Sequence, residues 1–275
     1  MSTSAGASGN AGEAGFLKNP AVQRVAWALS GLAILLALWG IFGYFIATNP
    51  TTKSFATFGL IPTLTAFPQL LAEGKIQEAV IASSYRLGGG LGIAILIGIP
   101  VGILVGRSKR FRELSNSPFQ LLRMVSPLAW MPIAVFVFSQ WNGSIIFLIA
   151  MASVWPVLFQ TAAGLAKVNP AWFTVARNLG AKPVHMITRI IIPAITFDIL
   201  SGIRLALGVA WIVLVPAEYL GVTSGLGYAI EDARETLSYN NLTAMVVTIG
   251  VIGYALDTSL VMLIKKFNWH RGEGA

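Results

Sequence analysis

Arg204 and Glu218 are isolated charges in a stretch that is otherwise almost wholly apolar, and isolated charges among apolar residues are where recognition concentrates. On one helix they stand about 21 Å apart along the axis and about 40° apart around it. Both would then line one face, with Arg204 attracting an anion. The alternative is that Arg204 pairs with a carboxylate, Asp198 or Asp257, and serves packing. Ser126, Pro127, Trp130 and Met131 form a second candidate set, because a proline disturbs its helix and frees backbone groups to face a pathway. Their alternative is also packing.

Catalytic chemistry has no comparable foothold. The chain contains no cysteine, which removes thiolate catalysis, disulfides and cysteine metal sites together. Its two histidines, His185 and His270, are too few and too far apart in sequence to suggest a metal site. No Gly-x4-Gly-Lys-Ser/Thr sequence occurs, and Gly88-Gly89-Gly90 reads as a small-residue packing stretch.

The elements that must position these charges are membrane spans. Of 275 residues 55% are hydrophobic and 11% charged, against roughly 25% charged in a soluble domain. A bilayer core takes about 20 apolar residues as a helix. Uncharged runs at 25–47 and 87–106 supply two spans. The uncharged run 124–166 is about twice the needed length and is broken at Gln140-Trp141-Asn142-Gly143, which makes two more, with Trp141 as an interfacial anchor. Residues 194–216 and 242–264 supply the fifth and sixth. The expected fold is all-α and polytopic, with six transmembrane helices.

Charge orients the spans. With the N-terminus in the cytoplasm, only Lys53, Lys75, Arg86, Arg204 and Arg234 of the 19 Lys and Arg fall away from the cytoplasmic side. That asymmetry places both termini in the cytoplasm and accounts for the net charge of +8 without a nucleic-acid partner. Residues 1–24 read as a disordered cytoplasmic tail around a Ser/Gly/Ala-rich start, 25–47 as the first span and 48–84 as an external segment with an amphipathic stretch at 67–82. Residues 85–265 form the core and 266–275 a cytoplasmic tail.

The segment 169–193 carries its own helix punctuation. Asn169 is a good N-cap and Pro170 suits the first helical position. Gly180 can end that helix in a left-handed conformation, and Pro183 starts a second. Ala176 and Gly180, four apart, make a smooth face, with Arg177, Lys182 and Arg189 around it. Such a surface helix suits the groove of another protein; the plain alternative is a loop obeying the positive-inside bias. His185 reads as a polar surface residue.

The spacing Ala176, Gly180-Ala181 and Ile190-Ile191-Ile192-Pro193 resembles the coupling segment of ABC-importer permeases, with Thr174 where that pattern has Glu and Val175 at its first Ala. Gly202-Ile203-Arg204, Ala217-Glu218, Ser224-Gly225-Leu226-Gly227-Tyr228 and Ser84-Tyr85-Arg86 resemble the nitrate/sulfonate/taurine (bicarbonate) branch of that family, over roughly residues 65 to 265. The resemblance implies a type I ABC-importer permease fold with a cytoplasmic coupling helix built on Thr174, Ala176, Arg177, Gly180, Ala181 and Pro193. It implies a bacterial inner-membrane, non-enzymatic subunit without a cofactor of its own, ATP and Mg being bound by partner chains. The implied partners are two ABC ATPases, a second permease copy as a homodimer, and an extracytoplasmic substrate-binding protein or lipoprotein. The implied cargo is a small anion, with nitrate first, then taurine or another sulfonate, then bicarbonate or cyanate. Ser126, Pro127, Met131, Arg204 and Glu218 are the pathway candidates. A stand-alone secondary transporter or channel is the alternative; it predicts inverted repeats or paired membrane carboxylates, and the sequence displays neither.

Overall fold

The computed structural model describes residues 20–268. The readings placed on residues 1–19 and 269–275, His270 and Arg271 among them, lie outside the described part. Among the described residues every regular element is helical. The chain divides into two compact units, residues 1–67 and 68–275.

The first unit holds α1 (Pro20–Thr48), a 3-10 turn (Lys53–Phe58) and the start of α2 (Leu60–Ala72). From Val25 onward α1 is apolar on all sides and largely exposed, the composition of a helix whose solvent is lipid. The Trp39 indole N–H donates to the Phe58 carbonyl at 3.0 Å, folding the 3-10 turn back against its own span.

The second unit begins with the rest of α2 and, after a break at Glu73-Gly74, α3 (Lys75–Arg107). Gly74 has φ +73, a left-handed conformation that stops one helix and starts the next. The amphipathic stretch 67–82 is therefore two helices, and the helix carrying the second span starts well before Leu87. Lys75 and Gln69 both reach Glu73 at 2.8 Å. The Lys75 contact, then that from Gln69, holds the Glu73 carboxyl below its usual range.

Beyond α3 the chain continues through α4 (Lys109–Met124), a 3-10 turn (Pro127–Trp130), α5 (Met131–Val137), α6 (Trp141–Ala166) and α7 (Pro170–Asn178). A helical turn at Pro183–His185 passes through a π-helical stretch, Met186–Ile191, into α8 (Ile192–Gly221). The unit closes with α9 (Leu226–Glu235) and α10 (Tyr239–Asn268).

Among the described residues five helices, Val25–Thr48, Lys75–Arg107, Trp141–Ala166, Pro183–Gly221 and Tyr239–Lys266, are long and apolar enough to cross a membrane. The expected third span is different. The disturbance expected at Pro127 is a sharp one: Lys109–Met124 and Pro127–Val137 form a pair bent by 88°. Pro127 disfavours helical backbone in the residue before it. Ser126 accordingly adopts an extended ψ of 129°, and Val125 before it is extended too, at 127°.

At the centre lies α6, with Ile145, Leu148, Ile149, Val157 and Leu158 buried. Packing in lipid relies on close van der Waals approach of backbones rather than on the hydrophobic effect, so small residues mark the contact. In α3 they recur every fourth position: Gly90, Ala94, Gly98, Gly102 and Gly106. A Cβ on Gly98 would sit 2.9 Å from Val157 Cβ, and one on Gly102 only 2.6 Å from the Leu158 carbonyl. This row is the main packing surface; of the Gly88-Gly89-Gly90 stretch, Gly90 belongs to it, Gly89 meets Ile146, and Gly88 faces open space. On its other side α6 packs against α8, where Gly164 admits Asp198 and Gly202 admits Gln160.

Candidate functional site

The elbow between α6 and α8 forms as its punctuation predicts. The Asn169 side chain accepts from Ala171 N–H at 2.9 Å, and Pro170 opens α7. At the other end Ala181 N–H donates to Ala176 O at 3.0 Å and Gly180 N–H to Arg177 O at 2.9 Å. That pair of bonds is a Schellman closure, and it needs the left-handed backbone that Gly180 supplies with φ +78. Pro183 starts helix again, but this second piece is no separate element: it runs directly into α8, so the fifth membrane helix begins well before residue 194. Pro193 has no N–H to give the carbonyl of Arg189. Just before it the backbone takes the wider π register, with Ile192 N–H bonded to Ile187 O.

The faces of α7 correct one expectation. Ala176 does not lie beside Gly180 on an outer surface; it is buried in a cluster with Ile103, Leu165, Met186, Ile191 and Ile195, and Ala181 packs against that cluster. The outer surface carries Trp172, Val175, Leu179 and Val184, with Leu179 82% exposed. Thr174 is also exposed, its hydroxyl directed back to the Pro170 carbonyl at 3.5 Å. Arg177 lines, with Arg107, Phe173 and Met186, a cleft of about 330 Å³ behind the elbow. The outer face is thus apolar with cations at its margin, and the small residues seat the elbow on its own bundle.

The two isolated charges part company. Arg204 forms a bidentate pair with Asp257, Nε to Oδ1 and Nη2 to Oδ2, both at 2.8 Å. This is the packing alternative stated for it above. Rather than sharing an open face with Arg204, Glu218 is fully enclosed and paired at 2.6 Å with Arg86, itself 3% exposed. Ser83 Oγ–H donates to the Glu218 carboxylate and accepts from Leu226 N–H at 2.9 Å. Gly227 N–H adds a bond to Glu218 at 3.0 Å. Arg86 spends its other donors on Asn142 Oδ1, the Ser224 carbonyl and the Ser224 hydroxyl.

Every nitrogen and oxygen of this buried pair's charged groups therefore has a partner, the condition under which an ion pair tolerates burial. The network ties α3, the start of α6, the end of α8 and the turn before α9. Gly225, at φ +110, lies so close that a Cβ would strike both Glu218 and Arg86. Sequence reasoning missed Ser83, met Asn142 only as part of a polar break and Ser224 only as part of a family motif, and did not join Arg86 to Glu218. A usable signal was Ser83 and Arg86, three apart and hence on one helix face.

Of the remaining pathway candidates, Ser126 is exposed in the bend after α4, and Met131 is half-buried against the central cluster with Trp130. Pro127 lines an open cavity of about 510 Å³ with Arg123, Trp155, Phe159, Gln160 and Leu205. Ser126, Met131, Arg204 and Glu218 are not among its lining residues. Among the described residues, no group of three or more His, Cys, Asp or Glu is placed to hold a metal ion.

Comparison with known proteins places this arrangement. Residues 98–268, from the last turns of α3 to the end of α10, match the model of the binding-protein-dependent transport system inner membrane component family. The chain is 34% identical over 242 residues to the bicarbonate transport system permease protein CmpB of Synechococcus elongatus, with 86% of each chain covered. It is 32% identical over 253 residues to the taurine transport system permease protein TauC of Escherichia coli, with 91% and 92% covered. An all-helical membrane chain with a capped, apolar-faced elbow outside its spans, matched over most of its length to transport permeases, belongs to the family of binding-protein-dependent transport system inner membrane components.

Proposed function

We propose that this chain is the permease subunit of an ATP-driven importer for a small anion. It forms the substrate pathway and couples it to two separate ABC ATPases. A second copy of the chain completes the pathway, and an extracytoplasmic binding protein delivers the cargo. The observation that carries the reading is the elbow: Trp172, Val175, Leu179 and Val184 stand exposed on a rigidly capped turn, in a chain that has no phosphate-cradling loop of its own. An apolar knob held outside the spans has reason to persist when it is covered by a partner. The excess of Lys and Arg puts that knob, and both termini, on the cytoplasmic side where ATP is available.

For cargo, the names of the two relatives favour bicarbonate or a sulfonate such as taurine; nitrate, first in the sequence reading, is in neither name. Each presents a compact oxyanion group, taurine's sulfonate standing beside its own ammonium, that a single cation and a few donors can hold. The test is reconstitution. Co-expressed with its neighbouring genes, the chain should retain an ATPase through affinity capture, and vesicles containing the complex should take up one of the three anions when ATP is supplied. A chain purified without any ATPase ends the reading.

A further inference from the structure

We propose that Arg123 is the cationic contact for the anionic cargo, at the cavity bounded by α4, α6 and α8; this rests on the importer reading above. Three arginines compete for the role. Arg86 is enclosed and paired with Glu218, and Arg204 is held bidentate by Asp257, so both charges are neutralised where they stand. Arg123 has no carboxylate partner and no hydrogen bond among the described residues. Its guanidinium rests over the Phe159 ring, 5.1 Å from the centroid. An aromatic face attracts a cation without neutralising it, so the positive charge stays available to an anion.

The surroundings fit a small oxyanion. The cavity measures about 510 Å³ and includes Arg123, Pro127, Trp155, Phe159, Gln160 and Leu205. Gln160 makes no hydrogen bond among the described residues, which leaves its amide N–H groups for a second oxygen. Trp155 and Phe159 stack 6.4 Å apart and give that end of the cavity an apolar wall. Pro127 bends the chain there, so that Arg123 arrives from α4 while Gln160 and Leu205 come from α6 and α8. One free cation, one free amide and apolar walls are the makings of a weak, transit-type anion site, in which binding must be loose enough to release.

The absence of cysteine permits a direct test on the complete transporter in lipid nanodiscs. With Leu205→Cys as the only cysteine of this chain, labelling is timed with an anionic sulfonatoethyl and a cationic trimethylammonioethyl methanethiosulfonate reagent. The expected preference for the anionic reagent falls about fivefold or more on adding Arg123→Gln and is kept by Arg123→Lys. In the Arg123 background, whichever of taurine, bicarbonate or nitrate the transporter carries should slow anionic labelling, and Arg123→Gln should raise the uptake KM for it about tenfold. An unchanged reagent preference, no protection by cargo, or an unchanged KM each overturns the assignment. Failure of the unmodified complex to take up any of the three anions instead ends the importer reading, and the reagent preference still reports whether the Arg123 charge faces the cavity.

Discussion

Removing the Glu218 carboxylate should cost more than any other single change outside the helix contacts. Glu218→Ala strips the acceptor from the Ser83 hydroxyl, the Arg86 guanidinium and Gly227 N–H. Arg86, 3% exposed, is left charged with only Asn142 and Ser224 as neutral partners. Deleting one member of a buried pair costs about 3–5 kcal/mol. For a chain of this size each kcal/mol moves the melting midpoint by about 2–4 °C, so a fall of roughly 6–20 °C is expected. The assay is a thermal melt followed by intrinsic tryptophan fluorescence in nanodiscs; Trp141 lies against Gly221 near the network and reports on it. Pairing Glu218→Leu with Arg86→Met should recover most of the loss, because two apolar side chains leave nothing buried and unpaired. A melt of Glu218→Ala within about 2 °C of the unmodified protein, the shift of an ordinary surface change, would refute the reasoning.

Other outcomes follow from the same geometry. Gly98→Leu drives a side chain into Val157, where even a Cβ sits 2.9 Å from its neighbour; a loss of about 1–3 kcal/mol is expected in the same melt, whereas Gly88→Leu, facing open space, should be nearly silent. Gly180→Val meets no neighbour but must hold φ +78. It should cost roughly 1–2 kcal/mol locally and weaken ATPase capture with little change in the melt of the membrane helices. A double-mutant cycle on Arg204 and Asp257, both about half exposed and without further partners among the described residues, should return a smaller coupling than the cycle on the enclosed, multiply bonded Arg86 and Glu218.

The elbow was legible because its signals are local. Asn169, Pro170 and Gly180 each act on bonds within five residues, and the structure makes those bonds. The bend after Met124 was not, although its cause is a single proline. Pro127 announced a disturbed helix, but hydropathy counts charges and says nothing of direction, so the size of the turn was out of reach. The Arg86–Glu218 pair lay further out of reach, because it joins residues 132 apart in sequence and depends on how α3 meets α8. Helical periodicity placed Glu218 on a face with Arg204, which fits an isolated helix. The bundle then enclosed Glu218 and left Arg204 near the surface. The small-residue row in α3 is written as a four-residue period, and the glycine triplet joins it only through Gly90.

The merging of the elbow into α8 has a mechanical meaning. Pro183–Gly221 is one helix of 39 residues, roughly 58 Å long, with the exposed knob beside one end and the Glu218 network at the other. A rod passes on torque as well as thrust, whereas a hinge between two helices would dissipate both. Force applied at Val184 therefore reaches Glu218 through continuous backbone, with the looser π turn at Met186–Ile191 as its most compliant point. In the importer proposed above, such a helix would serve as a lever with a flexure near its handle. Stiffness there sets how much of a stroke at one membrane face is felt at the other.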